Sequence, residues 1–347
     1  MDNLHDAFCK ARLGKAGKTE VHEFGMSLHA NIAALRNAML DGSVGFGPYH
    51  SFLIRDPKER TIHVAPFRDR VCHHALMNVC EPEFEQYLIH DSYACRKGKG
   101  MHAAVLRAQE FSRRFPWFLK LDIRKYYDSV DHGVLMAGLE RRFKDRTLLR
   151  VFSRLVNSYH TVPGRGLPIG NLTSQHFANF YLGALDHHVK EELRIAGYVR
   201  YMDDMVLWGD NREGLKRARD AVRQFADGQL RLELKEGILV NRSVLGLPFL
   251  GVRVYPRMRR LTPRSKWRFL CKFAQYEKEL RDGSMCEREA ARRVTALFAF
   301  VQFADTRGLR LHAMRDASEG HEPRDPRRQL EQQREELPVC EPEQQHA

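Results

Sequence analysis

Apolar residues recur along this chain with two periods, near 3.6 and near 2, and the changes between them mark out its elements. Leu28, Ile32, Leu35 and Leu40 share one face in a mostly helical stretch over 1–40, which the Gly- and Pro-containing run 42–48 breaks. Two short strands are expected over 52–55 and 61–64, joined by 56–60, and helices over 68–88 and 105–111. A strand-like run then reaches Asp122. A helix after Val130 and another over 147–158 follow, and 161–170, rich in Gly and Pro, reads as a loop. Apolar residues at 177, 181, 182, 185 and 189 predict one long helix over 173–194. A hairpin over 198–208, a helix over 213–227 and strands over 229–240 and 248–254 come next. From Asp122 onward the order is β-α-β-β-α-β, that of a split βαβ sheet. Residues 256–310 read as helices. There Arg264, Arg268 and Lys272 fall on one face, and Trp267, Leu270 and Ala274 on another. The tail from Ser318 is polar, charged and Pro-containing, a composition that predicts disorder.

Chemistry enters where this pattern carries charge into apolar surroundings. The 198–208 hairpin turns at Tyr201-Met202-Asp203-Asp204. Adjacent carboxylates repel, and a purely structural turn favours Asn-Gly or Asp-Gly. A divalent cation would neutralise the pair, and hard cations such as Mg²⁺ share oxygen ligands with substrate phosphates. Asp122 ends the upstream strand. With the hairpin aspartates it could complete a two-metal site for in-line phosphoryl displacement, or simply cap a helix.

The formal net charge is +13 over 347 residues. The segment 318–347 holds eight Asp or Glu against four Arg, so the rest of the chain carries the whole basic excess, and 256–310 has 14 Lys or Arg against six acids. That balance points to a polyanionic partner, nucleic acid first. Seven scattered cysteines without a Cys-x-x-Cys read as reduced thiols of a cytoplasmic protein. No apolar run is long enough to span a membrane, and the first residues do not read as a secretory signal. The His73-His74 and His187-His188 doublets point to different faces, so zinc is not expected.

Taken in order, several segments resemble those of reverse transcriptases: 60–70 (RTIHVAPFRDR), 92–100 (SYACRKGKG), 119–122 (LKLD), 201–204 (YMDD) and 249–253 (FLGVR), the last similar to the primer-grip hairpin. The resemblance runs over residues 48–254. The most diagnostic stretch is 166–175 (GLPIGNLTSQ). Most reverse transcriptases have Gln-Gly and Ser-Pro where this chain has Ile169-Gly170 and Ser174-Gln175. That departure is similar to the enzymes of bacterial and phage diversity-generating retroelements, which copy a template-repeat RNA with errors at adenine to diversify a target gene. Retron-type motifs are missing, as is any segment resembling an RNase H, endonuclease or integrase domain.

The resemblance implies an α+β right-hand polymerase. Its fingers would occupy 1–116, and its split-βαβ, ferredoxin-like palm 117–254, with part of 133–170 packing with the fingers. A basic helical thumb would cover 255–317, ahead of the tail at 318–347. It implies two Mg²⁺ ions, with Mn²⁺ as a substitute, on Asp122, Asp203, the Ile123 carbonyl and Asp204. Lys58, Arg60 and Arg70 would grip the incoming triphosphate, although Arg70 could instead pair with Asp69. Tyr127 would exclude a 2′-hydroxyl, with Tyr126 in the core, and Ile169 and Gln175 would bear on fidelity, unless Ile169 only packs. Arg96, Lys97 and Lys99, together with the basic face at Arg264, Arg268 and Lys272, would contact nucleic acid or remain solvated. The family's late lysine, a proton donor to pyrophosphate, has no clear counterpart: Lys235 comes early and Ile238 stands near its place. Expected partners are template RNA, the primer or cDNA strand, dNTPs and a small basic accessory protein forming a ring, with no membrane. Alternatives are a reverse transcriptase of a group II intron or other bacterial retroelement, and a catalytically silent RNA-binding protein.

Overall fold

Residues 1–55, 59–237 and 239–318 are described by the computed structural model, and they divide into two compact units, Met1–Arg242 and the chain from Ser243 onward. The first unit begins with α1 (Asp2–Arg12), α2 (Thr19–Met26) and α3 (Leu28–Leu40). Helix α1 buries Leu4, Ala7, Phe8 and Ala11, spaced at i, i+3, i+4 and i+7, against α4 (Phe67–Tyr87). In α3, Ile32 and Leu35 are buried but Leu40 is exposed, so the apolar face ends a turn earlier than its spacing predicts. Between them, β1 (His50–Arg55) and β2 (Glu59–Val64) pair antiparallel as a largely exposed hairpin.

The helix α5 (Met101–Arg114) leads to β3 (Trp117–Asp122), followed by α6 (Tyr126–Ser129), α7 (His132–Arg142), α8 (Arg146–Asn157) and α9 (Leu172–His187). Then come β4 (Gly197–Tyr201), β5 (Asp204–Gly209), α10 (Arg212–Leu230) and β6 (Leu239–Arg242). The four strands form one antiparallel sheet in the order β4-β5-β3-β6. Strand β5 thus lies between β3 and β4, which is the expected split-βαβ arrangement. The central strands are apolar on both faces because both are covered, with α10 on β3, β5 and β6 and α5 on β4 and β5.

Two expected elements differ. The helix expected over 173–194 leaves α geometry after His187 and continues as a π turn over His188–Glu192, where the Leu193 N–H reaches back five residues to the His188 carbonyl at 3.0 Å. The strand expected over 229–240 is mostly absent. Helix α10 runs to Leu230 and closes with Arg231 in the left-handed region. Leu232 and Leu234 are buried without forming a ladder, apart from one bridge from Leu234 to Ile123. Alternating leucines satisfied the pattern of a strand, but burial alone accounts for them.

The second unit opens with β7 (Leu247–Phe249) and β8 (Val252–Val254), joined by Leu250 and Gly251, both at positive φ, and continues with β9 (Arg259–Leu261), an unforeseen third strand. Segment 243–254, grouped with the palm from sequence, thus belongs to this unit. Helices α11 (Pro263–Arg281), α12 (Glu287–Gln302) and α13 (Arg307–Ser318) follow. Their core is Phe269, Phe298, Val301 and Ala313. The most buried residue of α11 is Phe269, with Leu270 and Phe273 packed alongside, rather than the Trp267, Leu270 and Ala274 stripe read from sequence.

Candidate active site

The sheet register brings the three aspartates together. Asp122, at the end of β3, lies directly opposite Asp204, the first residue of β5. Tyr201 pairs with Asp204 across the β4–β5 hairpin, so Met202 and Asp203 form its two-residue tip. Met202 sits at φ +52°, a left-handed conformation that costs a side-chain-bearing residue about 1–2 kcal/mol. Asp122 does not cap a helix: Lys125 occupies the N-cap position of α6.

A buried cation holds that tip from behind. The Arg200 guanidinium is fully buried and all five of its N–H groups are used. Nε donates to Asp186 Oδ1 at 2.7 Å, and Nη2 to Asp186 Oδ2 at 2.6 Å and the Asn179 carbonyl at 3.2 Å. Nη1 donates to Asn179 Oδ1 at 2.7 Å and to the Met202 carbonyl at 3.2 Å. Asp186 also accepts from the Tyr198 hydroxyl at 2.7 Å. Sequence reasoning missed this network. Its signal was a charge inside the otherwise apolar strand Gly197–Tyr201.

The carboxylates repel and are partly desolvated. Burial, then the Asp122 charge, pushes Asp203 up to about 6. Burial likewise raises Asp204, against the pull of Lys120. Two lysines offset the cluster. Lys120 shares a face of β3 with Asp122, and its Nζ is 3.0 Å from Asp204 Oδ1. Lys235 is seated by its own N–H, which donates to the Asp122 carbonyl at 2.8 Å, and its Nζ lies 2.5 Å from Asp122 Oδ2. The other oxygen, Asp122 Oδ1, is buried and has no hydrogen-bond partner among the described residues. Ile123 is buried beside it. Among the described residues no three His, Cys, Asp or Glu side chains form a ready-made metal cage. The carboxylates face ammonium groups that a bound cation would have to move aside.

Tyr126 and Tyr127 both feel the Asp203 charge. Tyr126 is buried and its hydroxyl donates to the Ala178 carbonyl, which makes it core. Tyr127 is half-buried, and its phenol is raised by burial and then by the charges of Cys95 and Asp203, against that of Arg60. That places Tyr127 within electrostatic reach of Arg60 and Asp203 together. Arg60 is exposed on β2. Gln175 accepts from Cys95 Sγ at 3.4 Å. Ile169 is half-buried, and its carbonyl accepts from the His63 N–H of β2 at 2.8 Å. Asn171 Nδ2 donates to the His63 carbonyl at 2.9 Å, and the Leu167 N–H to the Tyr127 carbonyl at 2.8 Å. The Ile169 loop therefore ties the β1–β2 hairpin to Tyr127. Gly170 stands at φ +110°, where an added Cβ would meet Ile62 Cγ2 at 2.7 Å, so no side chain fits.

Several expected contacts are structural instead. Arg70 does not face the site: it is buried, pairs with Glu20 of α2 at 2.5 Å and lies over the Phe67 ring, while its neighbour Asp69 accepts from the Gly47 N–H. Arg96 is also buried, gripping Glu85 and donating to the Ile89 and Ser92 carbonyls, which folds its loop rather than meeting a template. Lys99 donates to the His90 carbonyl and lies over Tyr93. Lys97 is exposed, 3.1 Å from Glu81. Asp131 caps α7 and pairs with Arg231 at 2.9 Å. Lys58 and Ile238 lie outside the described residues. In the second unit Arg264 is exposed, whereas Arg268 and Lys272 line a groove of about 390 Å³ with Phe269, Tyr276 and Phe300.

A split-βαβ sheet with carboxylates at one hairpin tip and on the neighbouring strand is a polymerase palm. Residues 55–237, just over half of the chain, match the family "Reverse transcriptase (RNA-dependent DNA polymerase)", and the chain belongs to that family. It is 23% identical to protein YkfC of Escherichia coli, over 65% of this chain and 72% of that protein. It is 24% identical to the group II intron-encoded protein LtrA of Lactococcus lactis, over 38% of this chain and 23% of LtrA. With the mitochondrial nuclear intron maturase 2 of Arabidopsis thaliana it shares 24% identity, over 34% of this chain and 18% of the maturase. The chain thus spans less than a quarter of either intron-related protein. In fold it resembles telomerase from Candida tropicalis, solved with a fragment of telomeric RNA, at 12% identity and a TM-score of 0.50, over 78% of this chain and 56% of that one. Among the described residues no helix is long and apolar enough to cross a membrane.

Proposed function

We propose that this chain is an RNA-directed DNA polymerase that adds dNTPs to a primer 3′-hydroxyl on an RNA template. The observation that carries the reading is the register of Asp122 against Asp204 with Asp203 at the adjoining tip. Lys120 and Lys235 offset only part of these mutually repelling, partly buried carboxylates, and Asp122 Oδ1, unpartnered among the described residues, suits a hard cation. Asp122, Asp203 and the Ile123 carbonyl would hold two Mg²⁺ ions, or Mn²⁺ in their place, with Asp204 beside them. When bound, such ions orient the primer hydroxyl and neutralise the triphosphate.

The chain's own residues supply the rest. Arg60, exposed on β2, would offer a bidentate guanidinium to the triphosphate. Tyr127, within reach of the Asp203 charge, would press on the sugar's 2′ position. Lys120 and Lys235 offset the carboxylate charge in the absence of a bound cation. Ile169, whose carbonyl accepts from the His63 N–H, would border the nascent pair without a side-chain hydrogen bond. An apolar contact rejects a wrong partner less well than a hydrogen-bonding one. An unmade bond costs about 1–3 kcal/mol, and about 1.4 kcal/mol is a tenfold change, so the missing amide changes error rates by about one order of magnitude.

On this basis the finer function is that of a diversity-generating retroelement enzyme. It would copy a template-repeat RNA into adenine-mutagenised cDNA in the bacterial cytoplasm, with a small basic ring-forming accessory protein as partner. A second reading, the reverse transcriptase of a group II intron, is favoured by the similarity to LtrA and the intron maturase. Sequencing cDNA made on one defined RNA by the wild type and by Ile169→Gln separates the two. Errors concentrated opposite template adenine, and reduced in Ile169→Gln, support the first reading. Equal error rates at all four bases in the wild type remove it in favour of the second.

A further inference from the structure

Helix α8 carries Arg146, Arg150 and Arg154 at i, i+4 and i+8, all exposed, on the side away from its buried Val151, Phe152, Leu155 and Val156. Three like charges one turn apart destabilise a helix, by about 0.2–0.5 kcal/mol per pair. Elsewhere the arginines of this unit are commonly compensated: Arg107 by Asp91, Arg124 by Glu233, Arg142 by Glu83 and Arg219 by Asp220. Among the described residues none of the three on α8 has a carboxylate within ion-pair distance, and Arg150 donates only to the Thr147 hydroxyl, at 3.1 Å. The strip spans about 12 Å at 1.5 Å per residue.

Beside it lies a depression of about 320 Å³ between α8 and the turn after α3, lined by Arg150, Arg154, Ser153, Ser43, Gly42 and Asp41. Arg150 lies against Gly42, its Nε 3.3 Å from where a Cβ would stand. Asp41 is the one acid in the depression. Its carboxylate is held by the Ser43 N–H at 2.7 Å and is not in ion-pair contact with either arginine. The depression therefore presents two guanidinium groups to a ligand beside a single acid; its Ser43 hydroxyl is turned to Asp41, and its Ser153 hydroxyl accepts from Asn157 Nδ2 at 3.3 Å.

We propose that this strip binds the phosphodiester backbone of single-stranded RNA at a surface other than the carboxylate site. Successive guanidinium groups about 6 Å apart along one face can engage successive phosphates, and each neutralised phosphate releases counterions. The polymerase reading supplies only the choice of RNA over other polyanions, and the test below reads binding rather than synthesis.

The experiment is fluorescence anisotropy of the full chain with labelled single-stranded RNA across a salt series. It compares the wild type, the triple variant Arg146→Gln/Arg150→Gln/Arg154→Gln and the charge-keeping triple Arg→Lys variant. Losing three phosphate contacts should lower the log–log salt slope by about 2 and weaken binding about ten- to fifty-fold near physiological salt. The Lys variant should keep most of the wild-type slope. These side chains are exposed, and their like charges destabilise the helix, so neither variant should unfold at a lower temperature than the wild type. A wild-type slope in the Gln variant overturns the proposal, as does an equal loss in the Lys variant. If the Gln variant loses the slope while the wild type makes no DNA, the strip stands and the polymerase reading falls.

Discussion

Removing Asp186 tests whether the buried cation behind the hairpin tip only holds the fold or also sets the site. In Asp186→Ala the Arg200 guanidinium stays fully buried but loses two of its five hydrogen bonds, at 2.7 and 2.6 Å, and the Tyr198 hydroxyl loses its acceptor. Breaking a buried pair from one side costs about 3–5 kcal/mol, because the remaining charge is left uncompensated. At about 2–4 °C per kcal/mol for a unit of this size, the melting temperature should fall by roughly 6–20 °C. The double variant Asp186→Leu/Arg200→Met removes both charges, and such apolar replacement is often neutral or stabilising. It also removes the donor to the Met202 carbonyl, at 3.2 Å. The double variant should therefore recover most of the lost stability but not polymerase activity, because Met202 at positive φ no longer has its anchor next to Asp203. The assays are thermal unfolding and primer extension on the same preparations. A fall of less than about 1 kcal/mol in Asp186→Ala, the range of an exposed pair, would refute the energetic argument. Full activity in the stable double variant would refute the positioning argument.

Further outcomes follow from the same geometry. Tyr127→Val should lower discrimination against ribonucleotides by about ten- to a hundred-fold, the scale of a changed apolar contact, read as the ratio of kcat/KM for dNTP and rNTP; an unchanged ratio returns Tyr127 to the core. Asp203 titrates near 6 in the folded chain, above an ordinary carboxylate. Its contribution to metal-free stability is thus fully present below about pH 4 and is lost as pH rises through about 6. Added Mg²⁺ should raise the melting temperature at neutral pH, and that increment should shrink as pH falls through about 6; an increment independent of pH contradicts the assignment of the cation to Asp203.

How legible all this was from sequence depended on what each residue needed from its neighbours. Asp122, Asp203 and Asp204 were readable because period-2 apolar runs lead straight into them, and the order of elements then fixed the sheet. The same rule misled at Leu230, Leu232 and Leu234, whose alternation is met by burial after a helix rather than by a strand. Basic residues were the least legible. Arg70 and Arg96 look like substrate ligands in a linear motif, yet each is consumed by a glutamate outside that motif, Glu20 and Glu85. Arg200, unnoticed, is the cation most deeply built into the site. Periodicity locates faces, but it does not say which charges find partners.

The account rests on Asp203 as part of a polymerising centre, and primer extension on an RNA template by the wild type and by Asp203→Asn tests it most directly. The predicted result is DNA synthesis by the wild type and a loss of at least about 10³-fold in Asp203→Asn. The variant should melt no lower than the wild type without metal, because a repelling, partly buried charge has been removed. Synthesis by Asp203→Asn at near the wild-type rate would contradict the account.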